Sequence, residues 1–197
     1  MNGFRIIVEG KEDGNFLRQV LESFSIPVNQ VDPFLEVGGK TMEKFQELSE
    51  ILRGNVDIGV KLLAVIDADD DWKKRKQPLL EFMKEFDIEE EQVFVFPDDT
   101  KNGCLEDLLL ELIPDEKLEI IECLNAASKC VNNLGVVGMD KKDIIHQYVS
   151  SNLTKKQRKQ RGQHANEETR NYSDSTVWNL ESEALQPLTN FLKKHLA

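Results

Sequence analysis

The stretch Lys61-Leu-Leu-Ala-Val-Ile-Asp67-Ala-Asp69-Asp70-Asp71 decides the fold. A continuous apolar run that stops abruptly at carboxylates has the pattern of a parallel strand buried on both faces, with acid delivered to its carboxyl end. In extended backbone, side chains two apart leave the same face, which pairs Asp67 with Asp69. An earlier run, Phe4-Arg-Ile-Ile-Val-Glu9-Gly10-Lys11, also ends in a carboxylate followed by glycine. Two carboxylates about 4 Å apart repel by roughly 4 kcal/mol at an effective dielectric near 20. Such a cluster therefore either holds a proton at a raised pKa or binds a cation. Hard oxygen ligands, completed by water and a substrate phosphate, suit Mg²⁺ or Mn²⁺. Asp70 and Asp71 read as solvated loop residues that cap the helix that follows.

Working outward, strand-like and helix-like segments alternate from residue 4 to about 96. Phe16, Leu17, Val20, Leu21 and Phe24 recur at helical spacing behind the capping sequence Asp13-Gly14-Asn15. Phe34-Leu-Glu-Val37 is a short strand, and Met42, Phe45, Leu48, Ile51 and Leu52 lie on one face of a second helix. A helix around 74–86 and the strand Val93-Phe-Val-Phe96 complete the series. That rhythm predicts right-handed crossovers and the α/β class, a Rossmann-like parallel sheet flanked by helices. Ligands bind such sheets outside the carboxyl ends of the strands.

Beyond Pro97 the texture becomes helical, so residues 1–113 read as the core and 114–197 as a helical C-terminal portion packed on the same domain. Helices are expected over Asp115 to Val131 and Lys141 to Ser150. Residues 154–173 read as a polar basic loop, with Lys155, Lys156, Arg158, Lys159, Arg161 and Arg170 against Glu167 and Glu168. From Val177 and Trp178 to Leu196 the apolar spacing returns.

With 40% apolar and 31% charged residues among 197, the chain can bury a core. A net charge of −11 argues against coating nucleic acid by bulk electrostatics, though not against reaching phosphate through a metal and a local basic patch. Cys104, Cys123 and Cys130 lack C-x-x-C spacing and read as buried thiols of a reducing cytoplasm. The three histidines are scattered. No run approaches membrane-spanning length, so the expected location is cytoplasmic. Gly39-Lys40-Thr41 is not a P-loop, because Phe34 stands where the first glycine belongs. Gly38, Gly39 and Lys40, with Lys11, could instead face a phosphate; a strand-to-helix turn that needs positive φ explains the glycines equally well.

Taken in order, Glu9-Gly10-Lys11-x-Asp13, the Gly38-Gly39 turn and Asp67-x-Asp69 resemble the Toprim domain. Topoisomerases, bacterial primases, small RNA-maturing nucleases and the overcoming-lysogenization-defect nucleases share that domain. The chain is most similar to small Toprim-like bacterial proteins, nearest to the last nuclease type. Gly103-Cys-Leu-Glu106-Asp107 and the ending from Trp178 to Leu192 agree with this. The resemblance implies Glu9 as metal ligand or general acid/base, and Asp67 and Asp69 as metal ligands. It implies Asp13 as a second acid, although a plain helix cap explains that residue as well. Glu106 would be a later acidic ligand and Lys142 the late lysine that offsets transition-state charge. The implied activity is Mg²⁺- or Mn²⁺-dependent phosphodiester hydrolysis on nucleic acid, DNA or RNA undetermined. The alternative is a non-catalytic metal- or nucleotide-binding regulatory module that acts through a protein partner; either reading admits a protein partner or a homo-oligomer.

Overall fold

The computed structural model describes residues 3–27, 32–159 and 166–196. Four strands form one all-parallel sheet: β1 (Phe4–Val8), β2 (Phe34–Glu36), β3 (Lys61–Asp67) and β4 (Val93–Phe96), in the order β2-β1-β3-β4. Phe4 is level with Lys61 and Val8 with Val65, so the chain leaves β1 toward one edge and returns to β3 on its other side. The order reverses between β1 and β3, and their carboxyl ends, at Glu9 and Asp67, flank the crevice this creates.

The sheet separates two hydrophobic layers with period two. Phe4, Ile6, Val8, Leu63, Val65, Phe94 and Phe96 face one layer. Ile7, Leu62, Ala64, Ile66, Val93 and Val95 face the other. This is why the strands read as unbroken apolar runs. The first layer is covered by α1 (Lys11–Ser23), α5 (Leu105–Glu111) and α7 (Lys141–Asn152), together with the terminal helix. The second is covered by α2 (Met42–Glu47), α3 (Ser49–Asp57) and α4 (Trp72–Met83). Three more α-helices lie among the described residues: α6 (Leu118–Asn133), the short α8 (Lys155–Arg158) and α9 (Gln186–Leu196). Trp178, Leu185, Leu188 and Leu192 are buried in the same core as β1, which makes the C-terminal portion part of one hydrophobic body.

Several local expectations are corrected. α1 starts at Lys11, ahead of Asp13, because Asp13 is its third residue and accepts from the Gly10 N–H at 2.9 Å. The single helix expected from Met42 is two, broken at Leu48, where the Ser49 hydroxyl donates back to the Gln46 carbonyl. Ile51 is consequently exposed while Leu52 is buried. Cys123 and Cys130 are exposed, and Cys104 is half-buried, so the three thiols are not core residues. The expected basic loop is partly core: Arg170 and Tyr172 are buried against α1, and Tyr172 packs edge-on to Phe16. Arg161 and His164 lie outside the described residues.

Candidate functional site: an ionic pocket at the ends of two central strands

Glu9 follows the last residue of β1, and its side chain turns to the α4 side of the sheet. There Arg75 Nη2 donates to Glu9 Oε1 at 2.7 Å, and the same guanidinium lies over the Phe45 ring and binds the Lys40 carbonyl. Glu9 Oε1 also accepts from the Asp67 backbone N–H at 3.3 Å. The other oxygen, Oε2, is buried and has no hydrogen-bond partner. Burial raises the Glu9 pKa, with Arg75 opposing it and Asp67 reinforcing it.

Asp67 closes β3 on the opposite side. Its Oδ1 accepts the Leu105 N–H at 2.9 Å, at the start of α5, and its Oδ2 lies 3.3 Å from Lys40 Nζ. Burial raises the Asp67 pKa against the pull of Lys40 and the Leu105 N–H. Lys40 Nζ reaches Asp69 as well, so one ammonium bridges the two aspartates. Burial alone would depress the Lys40 pKa, but the bonds to Asp69 and Asp67 outweigh it and raise it. The aspartates meet by a different route from the one the sequence suggests. β3 stops at Asp67, and Asp69 takes a left-handed conformation (φ 53°), held by a pair of backbone hydrogen bonds to Gly103 at 2.7 and 2.8 Å.

Beside this pair lies a second ionic group. Lys142, on α7, stands 3.1 Å from Glu106, 3.5 Å from Glu12 and 3.6 Å from Glu167. Its neighbour Lys141 bonds only Asp107 among the ion pairs of the described residues, at 2.6 Å. Tertiary packing thus separates two lysines that the sequence leaves equivalent. Glu12 also takes Arg170 at 3.0 Å and the Tyr172 hydroxyl at 3.2 Å, and burial lifts its pKa to about 7. Burial, followed by the charge of Asp67, lifts Asp13 to about 8. Burial would raise Glu106 too, but bonds from Cys104, the backbone and Lys142 bring it below its ordinary value.

One cavity of about 340 Å³ joins the two groups. Glu9, Lys11, Asp13, Gly38, Gly39, Lys40, Asp67, Glu106 and Lys142 all line it, and Asp69 reaches it through Lys40. Lys11 is exposed and paired with Glu168 at 3.6 Å. The Gly38 N–H is bonded to the Glu9 carbonyl at 2.9 Å, and Gly38 has φ 75°. The turn therefore serves backbone geometry first, and Lys40 is the part of it that faces the acids. Asp71 caps α4, accepting from the Lys74 N–H at 3.1 Å. Glu12, Arg75, Glu167 and Arg170 were not legible as site residues; Glu12 and Arg75 carried only their helical phase, and the other two sit in a stretch that reads as loop.

Among the described residues, no three Asp, Glu, His or Cys side chains converge to hold a metal ion as they stand. The carboxylates are instead neutralised by lysines. Their chemistry still fits a hard cation: all donors are oxygens, Glu9 Oε2 is a buried orphan, and Lys40 already places one positive charge between Asp67 and Asp69.

Fold and pocket together define an α/β protein with a strand-end ionic pocket at the switch point of a parallel sheet. The family model described as "Protein of unknown function (DUF3226)" matches residues 4–197, and the chain belongs to that family. Neither the curated proteins nor the solved structures gave a match. No described helix is long and apolar enough to cross a membrane.

Proposed function

We propose that the protein is a divalent-metal-dependent phosphodiesterase acting on nucleic acid, with Glu9, Asp67 and Asp69 as the residues that hold Mg²⁺ or Mn²⁺. The observation that carries this reading is the buried Glu9 Oε2 without a hydrogen-bond partner, in a pocket that Asp67 also lines and where Lys40 already bridges Asp67 and Asp69, at the switch point of the sheet. The resemblance of Glu9-Gly-Lys-x-Asp13 and Asp67-x-Asp69 to Toprim motifs supports the same chemistry. A bound divalent ion would supply Lewis-acid polarisation of the scissile phosphate and a more acidic bound water. The chain's own contributions follow from its bonds. Arg75 fixes one Glu9 oxygen and leaves the other to bind or to hold a proton. The Leu105 N–H fixes Asp67. Lys40, released from the aspartates, sits on a glycine turn within reach of a phosphate at the pocket, and Lys142 offsets negative charge at its far wall. Lys155, Lys156 and Lys159 on and beside α8 are exposed and suited to phosphate backbone, whereas Arg158 is bonded to the Leu153 and Ser151 carbonyls.

The test is cleavage of labelled single- and double-stranded DNA and RNA with Mg²⁺ or Mn²⁺ against EDTA. Glu9→Gln should lower the rate at least roughly a hundredfold, the scale of a lost general acid/base or metal-positioning group. No divalent-dependent cleavage of any of these by the wild-type protein would overturn the enzyme reading. The position of Lys40 favours one second reading, a metal- or nucleotide-responsive regulatory module. It expects metal binding without turnover.

A further inference from the structure

The two aspartates at the end of β3 are held by one short segment that follows β4. Asn102-Gly103-Cys104-Leu105 leads from the β4 loop into α5. Leu105 donates its backbone N–H to Asp67 Oδ1 at 2.9 Å. Gly103 exchanges two backbone bonds with Asp69, at 2.7 and 2.8 Å, which form an isolated antiparallel bridge. The Asn102 side chain adds a third tie, just beyond Asp69. Its Oδ1 accepts from the Trp72 N–H at 3.1 Å, and its Nδ2 donates to the Asp70 carbonyl. Residues 69, 70 and 72 are therefore all fastened to two consecutive residues of a different loop.

These bonds offset a local cost. Asp69 is left-handed, at φ 53°, a region that L residues other than glycine seldom occupy, although aspartate tolerates it better than most. The bridge that holds it there needs glycine at 103, where φ is 144° and a Cβ would lie 2.7 Å from Asp107 Oδ2. Asp107 comes so close because it accepts the Cys104 N–H, at 3.0 Å, in capping α5. At position 102 the chemistry is equally narrow. Trp72 is the first residue of α4, so its N–H has no acceptor within the helix. That group can only donate, and the Asp70 carbonyl can only accept. One planar side chain must supply an acceptor and a donor together, which an amide does. Aspartate would set oxygen against the Asp70 carbonyl, and leucine, similar in shape, would satisfy neither group.

Resting on the reading of Asp67 and Asp69 as ligands of a divalent ion, we propose that Asn102 is a positioning residue of that site. It does not line the cavity. It locks the Asp69 loop onto the segment that also holds Asp67, and so sets the two carboxylates relative to each other. In the metal-free protein Lys40 bridges them, and the clamp keeps the same arrangement in place for an ion that takes over from the ammonium. Mg²⁺ demands near-ideal octahedral geometry, so ligands fixed in advance favour it. A loop that had to be ordered on binding would charge that ordering against affinity. Groups that orient metal ligands from outside the coordination sphere typically carry ten- to a hundredfold in affinity.

Calorimetric titration of the full chain with Mn²⁺ tests this. Asn102→Ala should weaken Mn²⁺ binding by about tenfold or more. The circular dichroism should stay unchanged, because Asn102 is exposed and the substitution removes no core contact. Amide hydrogen exchange of the metal-free protein gives a readout independent of the ion. Exchange at Asp69 and Gly103 should accelerate in Asn102→Ala, while Val65 and Ile66, inside the sheet, keep their protection. A lower melting temperature with unchanged Mn²⁺ affinity would make Asn102 a fastener of α4 alone and overturn the positioning role. Unchanged exchange at Asp69 and Gly103 would overturn the clamp. Wild-type protein that binds no Mn²⁺ overturns the ligand reading, and the role of Asn102 with it. Wild-type binding with equal affinity in the variant overturns the role of Asn102 and leaves the ligand reading standing.

Discussion

The strand-end pocket and the outer face of α6 are opposites, and each departs from what burial alone favours. In the pocket, Glu9, Asp67 and Glu106 are charged or chargeable groups under 10% exposed. On α6, Leu134 and Val137 are apolar groups above 75% exposed. A buried carboxylate costs several kcal/mol unless it is paired, and an exposed apolar face forfeits about 25 cal/mol per Å² that burial would return. The pocket recovers its cost internally, through Arg75, Lys40, Lys142 and Arg170. The α6 face has no internal means of doing so. A site for small ions or phosphate can be completed within one chain, whereas the exposed apolar face of α6 gains no such return among the described residues.

The largest expected effect breaks the pocket's compensation. Arg75→Met removes the partner of Glu9, a pair whose side chains are 15% and 6% exposed, and should destabilise the protein by about 3–5 kcal/mol at neutral pH. The loss should shrink in acid, where Glu9 becomes neutral. Urea unfolding at pH 7 and pH 5 checks both statements, and an equal loss at the two values would mean that Arg75 acts through Phe45 packing instead.

Next comes the divalent ion. Saturating Mg²⁺ or Mn²⁺, at about 100 times Kd, should add roughly 2.7 kcal/mol of stability and raise the melting temperature by about 5–10 °C. Asp67→Asn with Asp69→Asn should abolish that rise while the protein stays folded. A double variant that keeps the full shift would assign the ion to other ligands, with Glu12, Glu106 and Glu167 the first to examine.

The pH dependence of the metal-free protein is smaller but has a definite sign. Asp13 and Glu12 are raised, to about 8 and about 7, so the folded state holds protons that the unfolded chain releases near pH 4. Their contribution is complete below pH 4 and is lost as pH rises through 7 and 8. Melting temperature should therefore fall between about pH 4 and pH 8 and level off above pH 8. Asp13→Asn, which can still accept from the Gly10 N–H, should flatten that fall, and an unchanged slope would remove Asp13 from the account.

The smallest effect sharpens the role of Lys40. If its ammonium holds the place of a bound cation, Lys40→Met should tighten Mn²⁺ binding in calorimetry by several-fold while lowering metal-free stability by about 1 kcal/mol, as expected for a half-exposed pair. Unchanged or weaker Mn²⁺ binding would show that lysine and metal do not share the position.

By itself the sequence determined the period-two strands, the acid at the ends of β1 and β3, and hence the parallel sheet with its crevice. These follow from local pattern, because a strand buried on both faces leaves no freedom in where its apolar run stops. Glu9, Asp67 and Lys40 were legible for the same reason, each lying beside a strand end. Only the tertiary structure decided which lysine serves the pocket, since Lys141 and Lys142 differ by one helical step that packing against α5 resolves. Tertiary structure alone also brought Arg75 to Glu9 across 66 residues and carried Arg170 into the core, because a long charged side chain has no periodic signature until its partner is in place. The break at Leu48 and the exposure of Cys123 and Cys130 belong to the same class. An apolar helical stripe reads alike whether the chain buries it or leaves it exposed, and only the packed fold tells the two apart.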